Sequence, residues 1–398
     1  MGCDFTFIHC ADLHLGSRFW GLSRKDPELG KRMYDSTFRA FSRIVDVGIQ
    51  RADFMVIAGD IYDELVETPR TRSFFASELE RFGKPVFMVT GNHDHVHSWS
   101  DSIPYPSNVK QFSTVPESYK ARVRDRQIEI AGVSFDGPHT DENLVSRLKG
   151  TPGLFTIGVV HCSVDTAGEG SGYAPCTERD FLGKDIQYWA LGHIHKRMTI
   201  RESDPAVVYP GNIQGRNPNE SGEKGCLLVS VTGDTVDREF IPVQDMVWKD
   251  VELDITGKNT LRELVEQVRP ELSRDAIVSL TITGRGPLNT VIRRDPDGFA
   301  DNLENISGSV VNIRKVMTGP EIDLDRERDS GTLLSEIIRV SDSLYGKTDE
   351  ELLEMLCSKG PAADIRPYLQ YYADKGKLRE LVREAEMSAI GRLSEVRE

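Results

Sequence analysis

Imidazoles and carboxylates recur along the first half of this sequence in short, closely spaced clusters. They occur as Asp12-Leu13-His14, Gly59-Asp60-Ile61-Tyr62-Asp63, Gly91-Asn92-His93-Asp94, the single His161, and Gly192-His193-Ile194-His195. On extended chain, residues two apart point to the same side, so Asp12 and His14, or His193 and His195, can grip one cation. Imidazole with carboxylate suits zinc, manganese or iron. The six cysteines are scattered without a CxxC pair, which argues against softer metal sites. Singly, each group has a plainer reading. Gly91 to Asp94 would serve as a polar turn, since Gly, Asn and Asp are ordinary turn residues. A lone histidine is more often a hydrogen-bonded core or surface group than a ligand. The accumulation favours chemistry, because all nine histidines precede residue 196.

The positioning elements follow from the apolar pattern. The first three clusters each end an apolar run, at 5–10, 53–58 and 85–90, and amphipathic stretches at 32–51 and 71–81 read as helices between them. Apolar strands alternating with helices imply a mostly parallel sheet covered on both faces. In such sheets the functional loops gather beyond the strands' carboxyl ends. Further runs at 155–160 and 188–191 deliver His161 and His193. Residues 121–130 and 133–135 read as a hairpin turning at Ala131-Gly132, and 143–148 as a helix. Strands at 207–209, 225–231 and 237–241 are expected to close the domain as a second, more antiparallel sheet.

After residue 241 there are no histidines and acidic residues are frequent. Strands are expected at 247–255, 276–283 and 310–316. A helix bearing Leu261, Leu264, Val265 and Val268, capped by Asn259 or Thr260, and another at 299–303 lie between them. From 331 only helices suggest themselves. Leu334, Ile337, Ile338 and Ser341 form one stripe; Leu378, Leu381, Val382, Ala385, Ala389 and Leu393 form another. The expected parts are therefore 1–241, 242–320 and 331–398.

Composition bounds the classes. With 398 residues, 38% hydrophobic and 28% charged, the chain is globular and large enough for two or three domains. No apolar run approaches the roughly 18 residues of a spanning helix, and the first is too short for a signal peptide. The start, Met1 to Thr6, fits the loose myristoylation pattern. A core strand beginning at Phe5 leaves it no free arm, so the match is read as chance. Reduced cysteines in a cytoplasmic protein are expected. The net charge of −14 gives no sign of nonspecific phosphate attraction.

The five clusters, in this order, resemble the signature blocks of the calcineurin-like metallophosphoesterases. More narrowly, Ala11-Asp12-Leu13-His14-Leu15-Gly16 and Tyr209-Pro210-Gly211-Asn212-Ile213-Gln214-Gly215-Arg216 resemble DNA repair exonucleases of the SbcD and YhaO type. Those are relatives of the eukaryotic and archaeal double-strand-break nuclease, and a weaker resemblance runs through 241–398. The resemblance implies an α/β fold: a two-sheet metallophosphoesterase sandwich flanked by helices, then a small α/β cap domain and a C-terminal helical region. It implies one metal held by Asp12, His14, Asp60 and His195, and a second held by Asp60, Asn92, His161 and His193. Asp60 would bridge ions about 3.5–4 Å apart, the spacing that clamps both oxygens of a phosphoryl transfer. His93 would meet the phosphate and protonate the leaving oxygen, with Asp94 orienting its ring. Gly91 would permit the turn. Arg18 and Arg216 would meet a phosphate backbone. The related double-strand-break nucleases carry histidine at the position of Asp63, so that role does not transfer, and Asp63 would support a neighbouring side chain. His95 and His97 read as surface residues.

The implied activity is a two-metal DNA exonuclease, manganese before zinc or iron, with some single-strand endonuclease activity. The implied partners are DNA, a second copy of the chain, and an SMC-like ABC ATPase onto whose coiled-coil base the C-terminal helices would dock. The chain has no Walker A motif, so any ATP dependence would come from that partner. The cap would help select DNA shape; its residues alone fit an oligomerisation domain equally well. The five blocks also fit a general phosphoesterase acting on a small phosphoester, cyclic nucleotide or phosphoprotein. A non-catalytic scaffold is the weaker alternative, because scaffolds lose ligands and here every position is filled.

Overall fold

The computed structural model describes residues 3–17, 27–63, 68–94, 103–165, 173–320, 327, 331–358 and 366–395. Arg18, His95 and His97 lie outside the described residues. The chain divides into two compact units, Met1–Trp248 and Lys249–Glu398.

The first unit begins with β1 (Phe5–Cys10), α1 (Pro27–Arg51), β2 (Phe54–Ala58), α2 (Pro69–Phe82), β3 (Val86–Val89) and β4 (Val109–Gln111). These four strands pair in parallel. Alternate residues explain the continuous apolar runs. Phe5, Phe7, Phe54 and Val56 face one core, while Ile8, Cys10, Met55 and Ile57 face a second core with Phe41 and Ile44 of α1 and Phe75 and Leu79 of α2. A strand buried on both faces has no polar side. Helix α2 starts where the Thr68 hydroxyl accepts from the Thr71 amide, and it stops at Gly83, whose φ is 67°.

A hairpin of β5 (Glu117–Val123) and β6 (Arg126–Val133) follows. Its turn lies at Arg124-Asp125, with Arg124 at φ 51°, and not at Ala131-Gly132, which belong to β6. Gly132 is there for packing: a Cβ would fall 2.5 Å from the Phe112 ring. The expected helix at 143–148 is a single 3-10 turn, Leu144–Arg147, capped by Asn143. Next come β7 (Phe155–His161), β8 (Ser163–Val164), β9 (Pro175–Cys176), β10 (Tyr188–Gly192), β11 (Met198–Arg201), β12 (Ala206–Tyr209), β13 (Gly225–Thr232) and β14 (Thr235–Pro242).

Two six-stranded sheets result, ordered β14-β13-β1-β2-β3-β4 and β11-β12-β10-β7-β6-β5. They pack through the Phe5 and Phe7 face, giving a sandwich with helices outside the first sheet. The expectation that 225–231 and 237–241 join the second sheet is corrected: β13 pairs antiparallel with β1, Phe5 opposite Val231 and His9 opposite Leu227. The reason is again burial on both faces. Leu227, Val229 and Val231 enter the core between the sheets, while Cys226 and Leu228 enter the helix-side core.

From β15 (Val247–Asp254), which begins at the division, the chain runs through α3 (Leu261–Val268), β16 (Ala276–Arg285), α4 (Asn289–Arg294), α5 (Pro296–Ser307) and β17 (Val310–Gly319). The strands form one sheet, β15-β16-β17. Thr260 caps α3 reciprocally with Glu263. Helices α6 (Leu333–Tyr345), α7 (Asp349–Ser358), α8 (Arg366–Asp374) and α9 (Leu378–Glu395) complete the unit. Helix α9 buries Leu378 and Val382 with Leu352 of α7 and Leu369 of α8, and Ile390 with Leu334 and Ile338 of α6. Ala385, expected on that stripe, is exposed. The apolar face is thus used inside its own unit. Among the described residues no helix is long and apolar enough to cross a membrane.

Candidate metal centre

The residues singled out by type lie at the carboxyl ends of β1, β2, β3, β7 and β10. Their backbone is unusual. Asp12, His14, Asp60 and His193 have φ of 52°, 43°, 53° and 102°, a region costing about 1–3 kcal/mol for side-chain-bearing residues. Main-chain bonds between loops hold them there: Asp12 N donates to Gly59 O at 3.0 Å, and His14 N to Asp60 O at 3.0 Å. The His193 amide donates to the Asp12 carboxylate at 3.0 and 3.2 Å. The glycines mark crowding. A Cβ on Gly91 would lie 2.1 Å from Asp60 Oδ1, and one on Gly192 would lie 1.8 Å from Ala58 O. Gly91 does not have positive φ, so its expected role as the residue that permits the turn is corrected to one of close approach.

The structure brings Asp12, His14, Asp60, Asn92, His161, His193 and His195 together. Ligand atoms of Asp12, His14 and His195 lie within 4.8 Å of one another, as do those of Asp12, Asp60 and His161. Asp60 Oδ2 stands 3.7 Å from His14 Nε2 and 3.5 Å from His161 Nε2, between the two groups. Asn92 Oδ1 is 3.1 Å from His161 Nε2. The His193 ring meets His161 edge-on at 5.2 Å and is stacked by Tyr173 at 5.0 Å.

Hydrogen bonding decides which ring nitrogens are bare. His161 Nδ1 donates to the Ala58 carbonyl at 2.9 Å, so its Nε2 lone pair faces the oxygens of Asn92 and Asp60. Burial lowers the His161 pKa to about 3, so no proton fills that gap at neutral pH. Three acceptors converging without a donor is a cradle for a cation. His14 Nδ1 donates to Asp63 Oδ1 at 2.5 Å and His195 Nδ1 to Glu220 Oε1 at 2.9 Å, which turns their Nε2 atoms toward each other at 3.1 Å. Burial lowers His14 to about 4. Burial also opposes charge on His195, while Glu220 and Asp12 act the other way and leave its pKa raised. Asp12 is raised to about 7 by burial and by the neighbouring Asp60 charge. Two carboxylates and neutral imidazoles sharing a buried volume fit divalent metals in both gaps.

The supporting residues differ from the expected ones. Asp94 does not orient His93: its carboxylate accepts the Gly91 amide at 2.6 Å and the Ile61 amide at 2.7 Å, tying the loop after β3 to the loop after β2. Main-chain amides outcompete a neighbouring ring that is 44% exposed. The carboxylate facing His93 is Asp63, whose Oδ1 is 3.7 Å from His93 Nδ1. Asp63 also accepts from Ser17 Oγ at 2.5 Å and from Arg216 at 3.1 and 3.2 Å. Burial would raise its carboxyl, but His14, Arg216 and Ser17 hold it well below the usual range. Arg216, expected at a phosphate, is instead engaged by Asp63. Glu220 and Ser17 escaped the sequence reading. Glu220 follows the 209–216 motif at the end of a 3-10 turn (Pro218–Glu220) that Asn217 caps, and only the fold brings it to a histidine 25 positions earlier.

Residues 5–197 match the calcineurin-like phosphoesterase family, and 248–317 match the middle domain of the metallophosphoesterase YhaO. The chain is 34% identical over 297 residues to the metallophosphoesterase YhaO of Bacillus subtilis, covering 71% of this chain and 73% of that one. It is 24% identical over 338 residues to the DNA double-strand break repair protein Mre11 of Methanocaldococcus jannaschii, covering 78% and 88%. The corresponding protein of Sulfurisphaera tokodaii is 26% identical over 289 residues, covering 66% and 68%. The chain belongs to the calcineurin-like metallophosphoesterases of the YhaO type. As a member it is a metal-dependent phosphoesterase.

Proposed function

We propose that the substrate is DNA and that the chain is a two-metal exonuclease with some single-strand endonuclease activity. The observation that carries this reading is likeness to the archaeal double-strand break repair protein over 78% of the chain, well beyond the phosphoesterase match. One metal would be held by Asp12, His14, Asp60 and His195, the other by Asp60, Asn92, His161 and His193, with manganese the first candidate for both. Bound there, the metal pair supplies charge neutralisation of the phosphate and acidification of the attacking water.

The chain's own residues do the rest. Asp60 lies between the two groups and its Oδ1 also accepts the His93 amide at 3.1 Å, so the loop that carries His93 is registered to the metal position. His93 is partly exposed, its side chain 44% accessible. It is therefore free to reach a phosphate and pass a proton to the leaving oxygen, with Asp63 beside its Nδ1. Parts 242–320 and 331–398 would serve as cap and partner-binding region in a cytoplasmic protein that acts with an SMC-like ABC ATPase and with a second copy of itself. Since the apolar face of α9 is buried, such a partner would use other surfaces.

The test is a manganese-supported assay offering labelled linear DNA and a small generic phosphodiester side by side. Shortening of the DNA is expected. Hydrolysis of the small ester with the DNA left intact would overturn the nuclease reading and favour a general phosphoesterase. Co-purification with a co-expressed SMC-like ATPase tests the partner.

A further inference from the structure

Outside the ligand set, one carboxylate beside the site is held by four separate donors. Glu220 Oε1 accepts from His195 Nδ1 at 2.9 Å and from Asn217 Nδ2 at 2.9 Å. Its Oε2 accepts from the Arg216 amide at 2.8 Å and from Asn212 Nδ2 at 2.7 Å. Its side chain is 11% exposed, and burial, which alone would raise its carboxyl, is outweighed by His195 and the Arg216 amide. A surface carboxylate does not need four donors. This one is fixed from three sides and presents a single oxygen to an imidazole.

The 209–216 segment supplies the fixing. Asn212 and the Arg216 main chain both point at Glu220, while the Arg216 side chain pairs with Asp63, which accepts from His14. One arginine thus joins the two carboxylates that stand behind His14 and His195, the two histidines whose Nε2 atoms face each other. Lys224 Nζ adds a bond to the His195 carbonyl at 3.1 Å, fixing the backbone as Glu220 fixes the ring.

We propose that Glu220 is a positioning residue for His195, and that Arg216 braces it to Asp63 so that both imidazoles present bare Nε2 atoms to one metal position. A carboxylate behind a metal-bound histidine fixes its tautomer and orientation and raises its basicity; losing such a partner typically costs about 10- to 100-fold in metal affinity. Arg216 therefore acts behind the metal position and not as a phosphate arm. The inference rests on the metal assignment proposed above.

The experiment is calorimetric titration of Mn2+ into the metal-free full chain, for wild type, Glu220→Gln, Glu220→Asp and Arg216→Ala, alongside metal-free melting curves. Glu220→Gln should bind one equivalent about 10- to 100-fold more weakly, keep the other, and melt as wild type does without metal. Glu220→Asp should recover part of the affinity. Arg216→Ala should weaken the same equivalent. Wild-type affinity in Glu220→Gln would overturn the brace. A fall in metal-free melting temperature with unchanged affinity in Glu220→Asp would also overturn it, assigning Glu220 to loop stability alone. If wild type itself binds no Mn2+, the metal assignment fails first, and the two failures are distinguishable.

Discussion

Among the described residues of the second unit, positive φ occurs only at glycines, such as Gly257, Gly308 and Gly376. In the first unit nine residues with side chains adopt it, and four of them, Asp12, His14, Asp60 and His193, belong to one cluster. In the second unit such positions include helix ends: Gly308, at φ 69°, ends α5, which Asp295 begins. The first unit places strained residues where carboxylates and imidazoles must converge. Strain of this kind persists only where surrounding bonds over-determine it, and the Asp12, His14 and His193 amides are each bonded to a neighbouring loop. The difference separates backbone geometry that serves the fold from geometry that serves a site.

The largest effect should come from His93→Ala. If the strained loops hold metals and His93 handles the proton, turnover should fall about 10²- to 10⁴-fold while metal content stays at wild-type level, measured by elemental analysis beside the hydrolysis assay. Loss of metal in this variant would place His93 among the ligands and blur the division drawn here. Metal removal sharpens the contrast between units. A ligand at 100 times its dissociation constant stabilises by about 2.7 kcal/mol, so Mn2+ should raise the calorimetric transition of the first unit. A transition assigned to the second unit should not move. Equal shifts in both would break the comparison.

Smaller effects should follow from substitutions in the second unit. Gly308→Ala forces an alanine into the left-handed region with only an ordinary contact, 3.9 Å from the Arg274 side chain, at a cost of about 1 kcal/mol, and Thr260→Ala removes a cap worth about 1 kcal/mol. Both should lower melting temperature and leave hydrolysis unchanged. Gly91→Ala is the counterpart in the first unit. Its new Cβ would press on the Asp60 carboxylate, so it should weaken metal binding more than its effect on melting implies.

How much of this was legible in the sequence depends on the range of the contact. The strands that end in ligand types announced themselves, because burial on both faces makes Phe54 to Ala58 continuously apolar and Phe5 to Cys10 nearly so. The place of β13 was not legible, since its residues fit either sheet and only pairing with β1 chooses. Gly132 looked like a turn residue, but its neighbour is the Phe112 ring, a contact no local pattern encodes. Asp94 misled for the opposite reason: adjacency to His93 suggested a partner, whereas two main-chain amides, one of them 33 positions back, were better donors. Glu220 is one acidic residue among 63, and nothing short of the fold places it behind His195.

His9 gives the finest comparison, because it is as buried as His14 and His161 yet does different work. Its Nδ1 is 2.8 Å from the Tyr188 hydroxyl and its Nε2 is 3.2 Å from the Leu191 carbonyl, so both ring nitrogens are satisfied and neither is left for a cation. Burial holds its pKa at about 3, with the Leu191 bond opposing. Between about 3 and the ordinary 6.5 the unfolded chain therefore binds more protons than the folded one. The sign follows: this contribution is complete above pH 6.5 and is lost as pH falls toward 3. In chelator-treated protein, His9→Gln keeps a polar partner for Tyr188 but cannot titrate. Its melting temperature should fall less steeply between pH 7 and pH 4 than that of wild type. Parallel slopes would mean that the inter-sheet histidine carries none of the acid sensitivity, leaving it to the other shifted groups, among them the histidines of the metal centre and the depressed carboxyls of Asp63 and Glu220.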